Sequence, residues 1–245
     1  MLDDFQNCPK GVCRRSSVDN KHRRTRSSII VEKDGNTLLL DVSADFREQV
    51  LRQKIKNIDA VLVTHSHADH IGGIPDIRSY TRHSPISLYG SAETLASVRQ
   101  TFSYIFDATT FEGGGIPKID TKVIDSSMTI AGFKVTPIPV QHGQLKGCYG
   151  YRVDDLAYLP DVKFLDPKYY PLLENLDCLI LNCLRDRREH STHLILPQSM
   201  DLARRLAPEK CYFIHMSHDI DYDSDSAVLE DWMGFSYDGL QIEIE

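Results

Sequence analysis

The β-branched run Ile58–Thr64 ends directly in His65-Ser66-His67-Ala68-Asp69-His70, which places three imidazoles and one carboxylate within six residues. His65 and His67 are two apart, so on an extended backbone they point to the same side and can grip one metal ion. Asp69 and His70 can turn toward a second. A surface cluster of histidines is the plain alternative, but so dense a ligand set at the end of a strand weighs against it. Imidazole suits Zn, Fe and Ni, and imidazole mixed with carboxylate also admits Mn.

The same pattern recurs along the chain. The strand-like run 133–140 leads to His142, 156–159 to Asp161 and 211–214 to His215. Further strands are predicted at 29–32 and 37–41, joined across the hairpin-turn pair Asp34-Gly35, and at 86–89 and 176–181. Helices are predicted at 71–79, from the N-cap Ser91 to about Tyr104, and at 197–206, where Met200, Ala203 and Leu206 recur at helical spacing. Alternating strands and helices define an α/β class. Side chains at strand ends from distant parts of such a chain can converge at one sheet edge.

With 245 residues the chain can bury a sizeable core. No repeat, low-complexity segment or Gly/Ser/Pro-rich linker divides it, which reads as one domain over 1–245 with a Cys/Arg-rich N-terminal segment, 1–28. The apolar runs are strand-sized, far short of the roughly 20 residues a membrane helix needs. The start carries Asp3 and Asp4 and lacks an apolar h-region, so a cytoplasmic location and no membrane partner are expected. A net charge of −7 and a pI near 5.8 disfavour nucleic acid as a partner. Cys148, Cys178, Cys183 and Cys211 lie in or beside strands and read as buried, reduced thiols, and only Cys8 and Cys13 are close enough to pair. A homodimer is left open.

The ordered series His65-x-His67-x-Asp69-His70, His142, Asp161, His215 resembles that of the metallo-β-lactamase superfamily, in spacing and order, across residues 29–218. The resemblance implies a four-layer αββα sandwich with two divalent metal ions (Zn, Mn or Fe). His65, His67 and His142 would hold the first ion and Asp69, His70 and His215 the second, with Asp161 bridging and Asp41 supporting the ligand loop. Two ions can share a water, lower its pKa so that hydroxide exists near neutral pH, and polarise the bond under attack. Hydrolysis is the expected reaction.

Within the superfamily, three segments resemble the phosphoribosyl cyclic phosphodiesterase family of phosphonate breakdown: Cys8–Ser28, His190-Ser191-Thr192-His193-Leu194, and His215-Met216-Ser217-His218-Asp219 with Tyr237–Leu240. By that resemblance the substrate is a small cyclic phosphate ester. His193 would protonate the leaving oxygen, a role an imidazole with a pKa near 7 can fill, and Asp69 joins it as a candidate catalytic residue. Cys8, Cys13 and His218 would hold an additional structural zinc, one ligand short of a tetrahedron. The family's third upstream Cys and its initial Gly-rich strand are missing, which leaves either a shortened N-terminus or an incomplete zinc site. Pro160 stands beside Asp161, where the family commonly has a small hydroxyl residue.

Arg14, Arg15, Lys21, Arg23, Arg24 and Arg26 read as a solvated basic face, with a phosphate-attracting rim as the alternative. Arg185, Arg187 and Arg188 could serve that rim. His22, His83 and His190 read as surface residues. Residues Asp219–Glu230 imitate a calcium loop but put Ser224 where that loop needs Gly, so they read as a solvated acidic segment. The alternatives to a cyclic phosphodiesterase are a tRNA 3′-processing nuclease, a thioester or lactone hydrolase, and a metal-binding module without turnover.

Overall fold

The computed structural model describes residues 8, 10–111, 113 and 115–244. The acidic start with Asp3 and Asp4 lies outside the described residues. The chain is α/β with two sheets and divides into two compact units. The first comprises Arg26–Pro137 and Lys146–Tyr149, and the second Met1–Thr25, Ile138–Leu145 and Gly150–Glu245.

The first unit opens with the hairpin β1 (Ile29–Lys33) and β2 (Asn36–Leu40). Asp34 and Gly35 take φ of 51° and 80° between them, the left-handed pair that matches a two-residue turn to the twist of its strands. β3 (Ala60–Leu62), β4 (Ile86–Gly90) and β5 (Ile119–Val123) follow, all parallel to β2, in the order β1-β2-β3-β4-β5. A second hairpin joins β6 (Met128–Ile130) to β7 (Phe133–Pro139). Ser91 caps the helix Ala92–Thr101 by accepting from the Thr94 amide. That helix is shorter than predicted: it breaks at Phe102 (φ −113°, ψ 44°), and a separate turn of helix covers Ser103–Phe106. The helix predicted at 71–79 is likewise two elements, Ala68–Ile71 and the 3₁₀ turn Ile74–Ser79. Gly72 and Gly73 separate them, and a Cβ on Gly73 would lie 2.2 Å from the Ser43 carbonyl oxygen. Two close backbone passes, rather than helical continuity, set that stretch. Leu39, Val61, Val63, Ile71, Ile74 and Leu88 are among the residues forming this unit's core.

The second unit contains β8 (Tyr149–Val153, from Gly150), β9 (Leu156–Leu159), β10 (Cys178–Asn182), β11 (Lys210–Ile214) and β12 (Met233–Phe235). β9 to β12 are parallel neighbours and β8 pairs antiparallel with β9. The helix Leu196–Leu206 buries Leu196, Met200, Ala203 and Leu206 in a core that includes Leu159, Leu181 and Phe213. Cys148, Cys178, Cys183 and Cys211 are buried free thiols, and burial holds Cys178 protonated by raising its pKa to about 11. Among the described residues no helix is long and apolar enough to cross a membrane.

Surface expectations change in part in this unit: Arg14, Lys21, Arg23 and Asp223 are exposed as expected, but other residues of the N-terminal basic run and of the acidic segment pack against each other. His22 is 3% exposed, with Nδ1 2.9 Å from Asp19 and Nε2 3.6 Å from Asp221. Arg15 pairs with Asp221, and Lys10 with Asp186 and Asp225, each at 2.7 Å. Arg24 is not a solvated cation, since its Nη1 donates to the carbonyls of Ser217 and Ile220 at 3.0 Å. Asp221 is buried and caps the helix Tyr222–Ser226.

Candidate metal centre

In the first unit, β2 and β3 are adjacent and parallel, with Leu40 beside Leu62, so the residues that follow them leave the sheet together. Asp41 turns at φ 64°, and this left-handed backbone aims its wholly buried carboxylate at the next strand's extension. One carboxylate oxygen takes the Thr64 amide at 2.8 Å, the Thr64 hydroxyl lies 2.9–3.0 Å from both oxygens, and His70 Nδ1 lies 2.7 Å from the other. A carboxylate only accepts, so the single Thr64 hydroxyl proton goes to Asp41. His65 Nδ1, 3.0 Å from Thr64 Oγ1, then donates to that oxygen. Asp41 thereby fixes two imidazoles, His70 directly and His65 through Thr64, and puts the lone pair of each on Nε2, the nitrogen able to bind a metal ion. His65 Nε2 is 3.0 Å from His67 Nδ1, and His70 Nε2 is 3.6 Å from Asp69.

In the second unit, β9, β10 and β11 end side by side, which brings out Asp161, Asn182 and His215 at one edge. Pro160 lies just beyond β9's last paired residue, Leu159. His142 sends Nδ1 to the carbonyl of Thr192 at 2.9 Å, and its Nε2 is 3.5 Å from Asp161. His215 stands at φ 63° with Nε2 3.1 Å from the other Asp161 oxygen. His193 is 8% exposed, stacked on His215 at 4.9 Å and edge-on to His142 at 4.7 Å between ring centroids. One ligand atom each from Asp161, His193 and His215 lies within 4.8 Å of the others. His190, expected at the surface, is half-buried against His193 at 5.0 Å, and Thr192 donates to its Nδ1. Of the residues expected to be exposed loop histidines, only His83 is.

Two ligands about 2.1 Å from one tetrahedral ion lie about 3.4 Å apart. The four spacings above, 3.0, 3.6, 3.5 and 3.1 Å, bracket that value, so the donor set fits divalent ions. Asp41→Asn is therefore expected to weaken metal binding by roughly 10–100-fold, the usual cost of losing a group that orients a ligand. Chelator competition against the unaltered protein would measure it.

The pKa expected for His193 was near 7, but burial lowers it to about 3; Asp161 opposes this shift, and His215, His142 and His190 add to it. In the free protein His193 is neutral at neutral pH. Below the ordinary value of 6.5 the unfolded chain binds the extra proton and the folded chain does not. Stability from this residue is thus present above pH 6.5 and falls as pH drops toward 3, by up to about 1.4 kcal/mol per pH unit. In metal-free protein, His193→Gln is expected to flatten the melting-temperature profile over that window.

Cys8, Cys13 and His218 also come together: Cys13 Sγ is 3.4 Å from His218 Nδ1, Cys8 Sγ accepts from the Cys13 amide at 3.3 Å, and one ligand atom from each lies within 4.8 Å of the others. His218 turns Nε2 toward Asp219 at 3.7 Å, the arrangement of a zinc-bound histidine backed by a carboxylate. Sequence reasoning missed Thr64 and Asn182. Both end strand-like runs, as Asp161 and His215 nearly do, and that shared position is the signal that could have found them.

The chain matches the Beta-lactamase superfamily domain over residues 36–216 and belongs to that family. It has the metallo-β-lactamase fold. It is 32% identical over 240 residues to an octanoyltransferase of Porphyromonas gingivalis, a match covering 97% of this chain and 48% of that protein. The chain spans about half the length, or less, of the curated relatives it matches. A diphosphatase of the PhnP family superposes with a TM-score of 0.86 at 35% identity, over 96% of this chain and 89% of that one. Zinc-bound PqqB of Methylobacterium extorquens has the same fold, with a TM-score of 0.80 at 21% identity over 97% and 94% of the two chains.

Proposed function

We propose that the chain is a binuclear phosphodiesterase acting on a small cyclic phosphate ester. His65, His67 and His142 would hold one divalent ion and Asp69, His70 and His215 the other, with Asp161 as a ligand to both. Bound ions of this kind supply Lewis acidity and a water that ionises near neutral pH. The observation that carries the reading is the placement of a buried imidazole that is not in the ligand series, His193, within 4.8 Å of Asp161 and His215. A ligand set alone serves any ester. A buried donor beside it serves a substrate whose leaving oxygen needs a proton.

The chain's own residues then divide the work. Asp41 and Thr64 keep the ligand imidazoles turned to present Nε2. The Thr192 carbonyl does the same for His142, so the loop that carries His193 also orients a ligand. Burial of His65, His70, His142, Asp161 and His193 lowers the local dielectric, which strengthens every charge-assisted contact with a phosphate. A second reading, hydrolysis of a diphosphate, is favoured by the 35% identity to a diphosphatase of the PhnP family. Its leaving group is a stabilised phosphate that needs less help from His193. Cys8, Cys13 and His218 hold one further zinc ion in this reading, and a small phosphorylated molecule, rather than nucleic acid, is the partner.

Elemental analysis and a substrate panel test the proposal together. About two active-site ions per subunit are expected, with any zinc on the cysteines additional. Turnover is expected to be fastest on cyclic phosphates among cyclic phosphates, diphosphates, linear phosphodiesters, lactones and thioesters, with octanoyl transfer, the activity for which the Porphyromonas relative is named, assayed alongside. A metal content near zero after reloading, or preference for a carbon ester, would overturn it.

A further inference from the structure

We infer that Asn182 is a positioning residue that holds His193 with its proton on Nε2. Asn182 ends β10 and is wholly buried. The Leu194 amide donates to its Oδ1 at 2.9 Å, and this decides which way the side-chain amide faces, because the reverse orientation would set an NH₂ against an N–H. Its Nδ2 then lies toward His193 Nδ1, 3.4 Å away. An amide NH₂ only donates, so Nδ1 must accept, and a neutral imidazole that accepts at Nδ1 carries its proton at Nε2. The Asn182 carbonyl is itself held by the Ser199 hydroxyl at 2.6 Å. The orienting group is therefore anchored on a core strand and tied to the following helix, rather than riding on the loop it orients.

The inference rests on the phosphodiesterase reading only in giving that Nε2 proton a destination, the leaving oxygen. A base oriented by a third group is the general logic of catalytic triads, and the wrong tautomer is costly there. Here the orienting group is a neutral donor, which suits an imidazole that must give a proton rather than take one.

The tautomer can be read directly from ¹⁵N chemical shifts of His193, in the protein as purified and after zinc loading, without any substrate. A protonated Nε2 and an acceptor Nδ1 are expected. Asn182→Asp keeps an acceptor for the Leu194 amide but presents a carboxylate to Nδ1, so it is expected to move the proton to Nδ1. Asn182→Leu is expected to leave a mixture, and to lower kcat roughly 10–100-fold further on a ribose cyclic phosphate than on bis-p-nitrophenyl phosphate, with KM little changed. A proton on Nδ1 in the unaltered protein, or ¹⁵N signals unmoved in both variants, would overturn the inference. So would equal losses on both substrates together with a lowered melting temperature, which would make Asn182 merely structural. If the unaltered protein hydrolyses no phosphodiester, the proposed function fails while the shifts still decide the role of Asn182.

Discussion

His193→Ala will leave the metal content unchanged while lowering turnover on an alkoxide-releasing phosphate ester by roughly 10²–10⁴, the usual contribution of a placed proton donor. The loss should shrink sharply on bis-p-nitrophenyl phosphate, because nitrophenolate departs with little help. The geometry separates the possible outcomes. Were His193 a metal ligand, a role its 4.8 Å grouping with Asp161 and His215 permits, both substrates would fail together and metal would be lost. Were it only a packed loop residue, both rates would stay near those of the unaltered protein. A diphosphate substrate gives a fourth pattern: the variant would be only mildly impaired even on the natural compound, whose leaving group is a stabilised anion.

Asp161→Ala should remove most activity and most bound metal. Its carboxylate oxygens face His142 at 3.5 Å and His215 at 3.1 Å, so its loss takes a ligand from both proposed ions, whereas losing an orienting group only weakens binding. The residue is 4% exposed, and truncation leaves the buried His142 and the half-buried His215 without their carboxylate. The proper control is His83→Ala, because His83 is exposed. His22, which the sequence presents as an equally idle histidine, is buried between Asp19 and Asp221, and its removal would disturb packing. Equal effects from Asp161→Ala and His83→Ala, measured by elemental analysis and turnover, would mean that the metal centre has been misplaced.

Much of this was legible from residue type and spacing. Ligands that follow β-branched runs betray strand ends, and Asp34-Gly35 betrays a hairpin, because both signals are local. The failures were non-local. Nothing near His22 or Arg24 announces that Asp221 meets the one and the carbonyls of Ser217 and Ile220 meet the other from far along the chain. The break at Gly72-Gly73 answers to the Ser43 carbonyl, a neighbour thirty residues away. The pKa of His193 depends on burial, which no motif encodes, and the contacts of the Asn182 side-chain amide with Leu194 and His193 arise only once β10 and the loop after it are folded.

The two units also differ in how their pieces are distributed along the chain, and this bears on synthesis. The first unit is finished once residue 149 has been made, and all but four of its residues lie in the single stretch 26–137. The second joins a segment that ends at Thr25 to residues from Ile138 onward. Lys10, Arg15, Thr25 and their acidic partners Asp225, Asp221 and Asp238 are separated by roughly 200 residues. The first unit can therefore close on itself before Asp221, Asp225 and Asp238, the partners of Arg15, Lys10 and Thr25, have been made. Long-range pairing of this kind is slow, and until it forms Lys10 and Arg15 lack the carboxylates that pair with them in the folded chain.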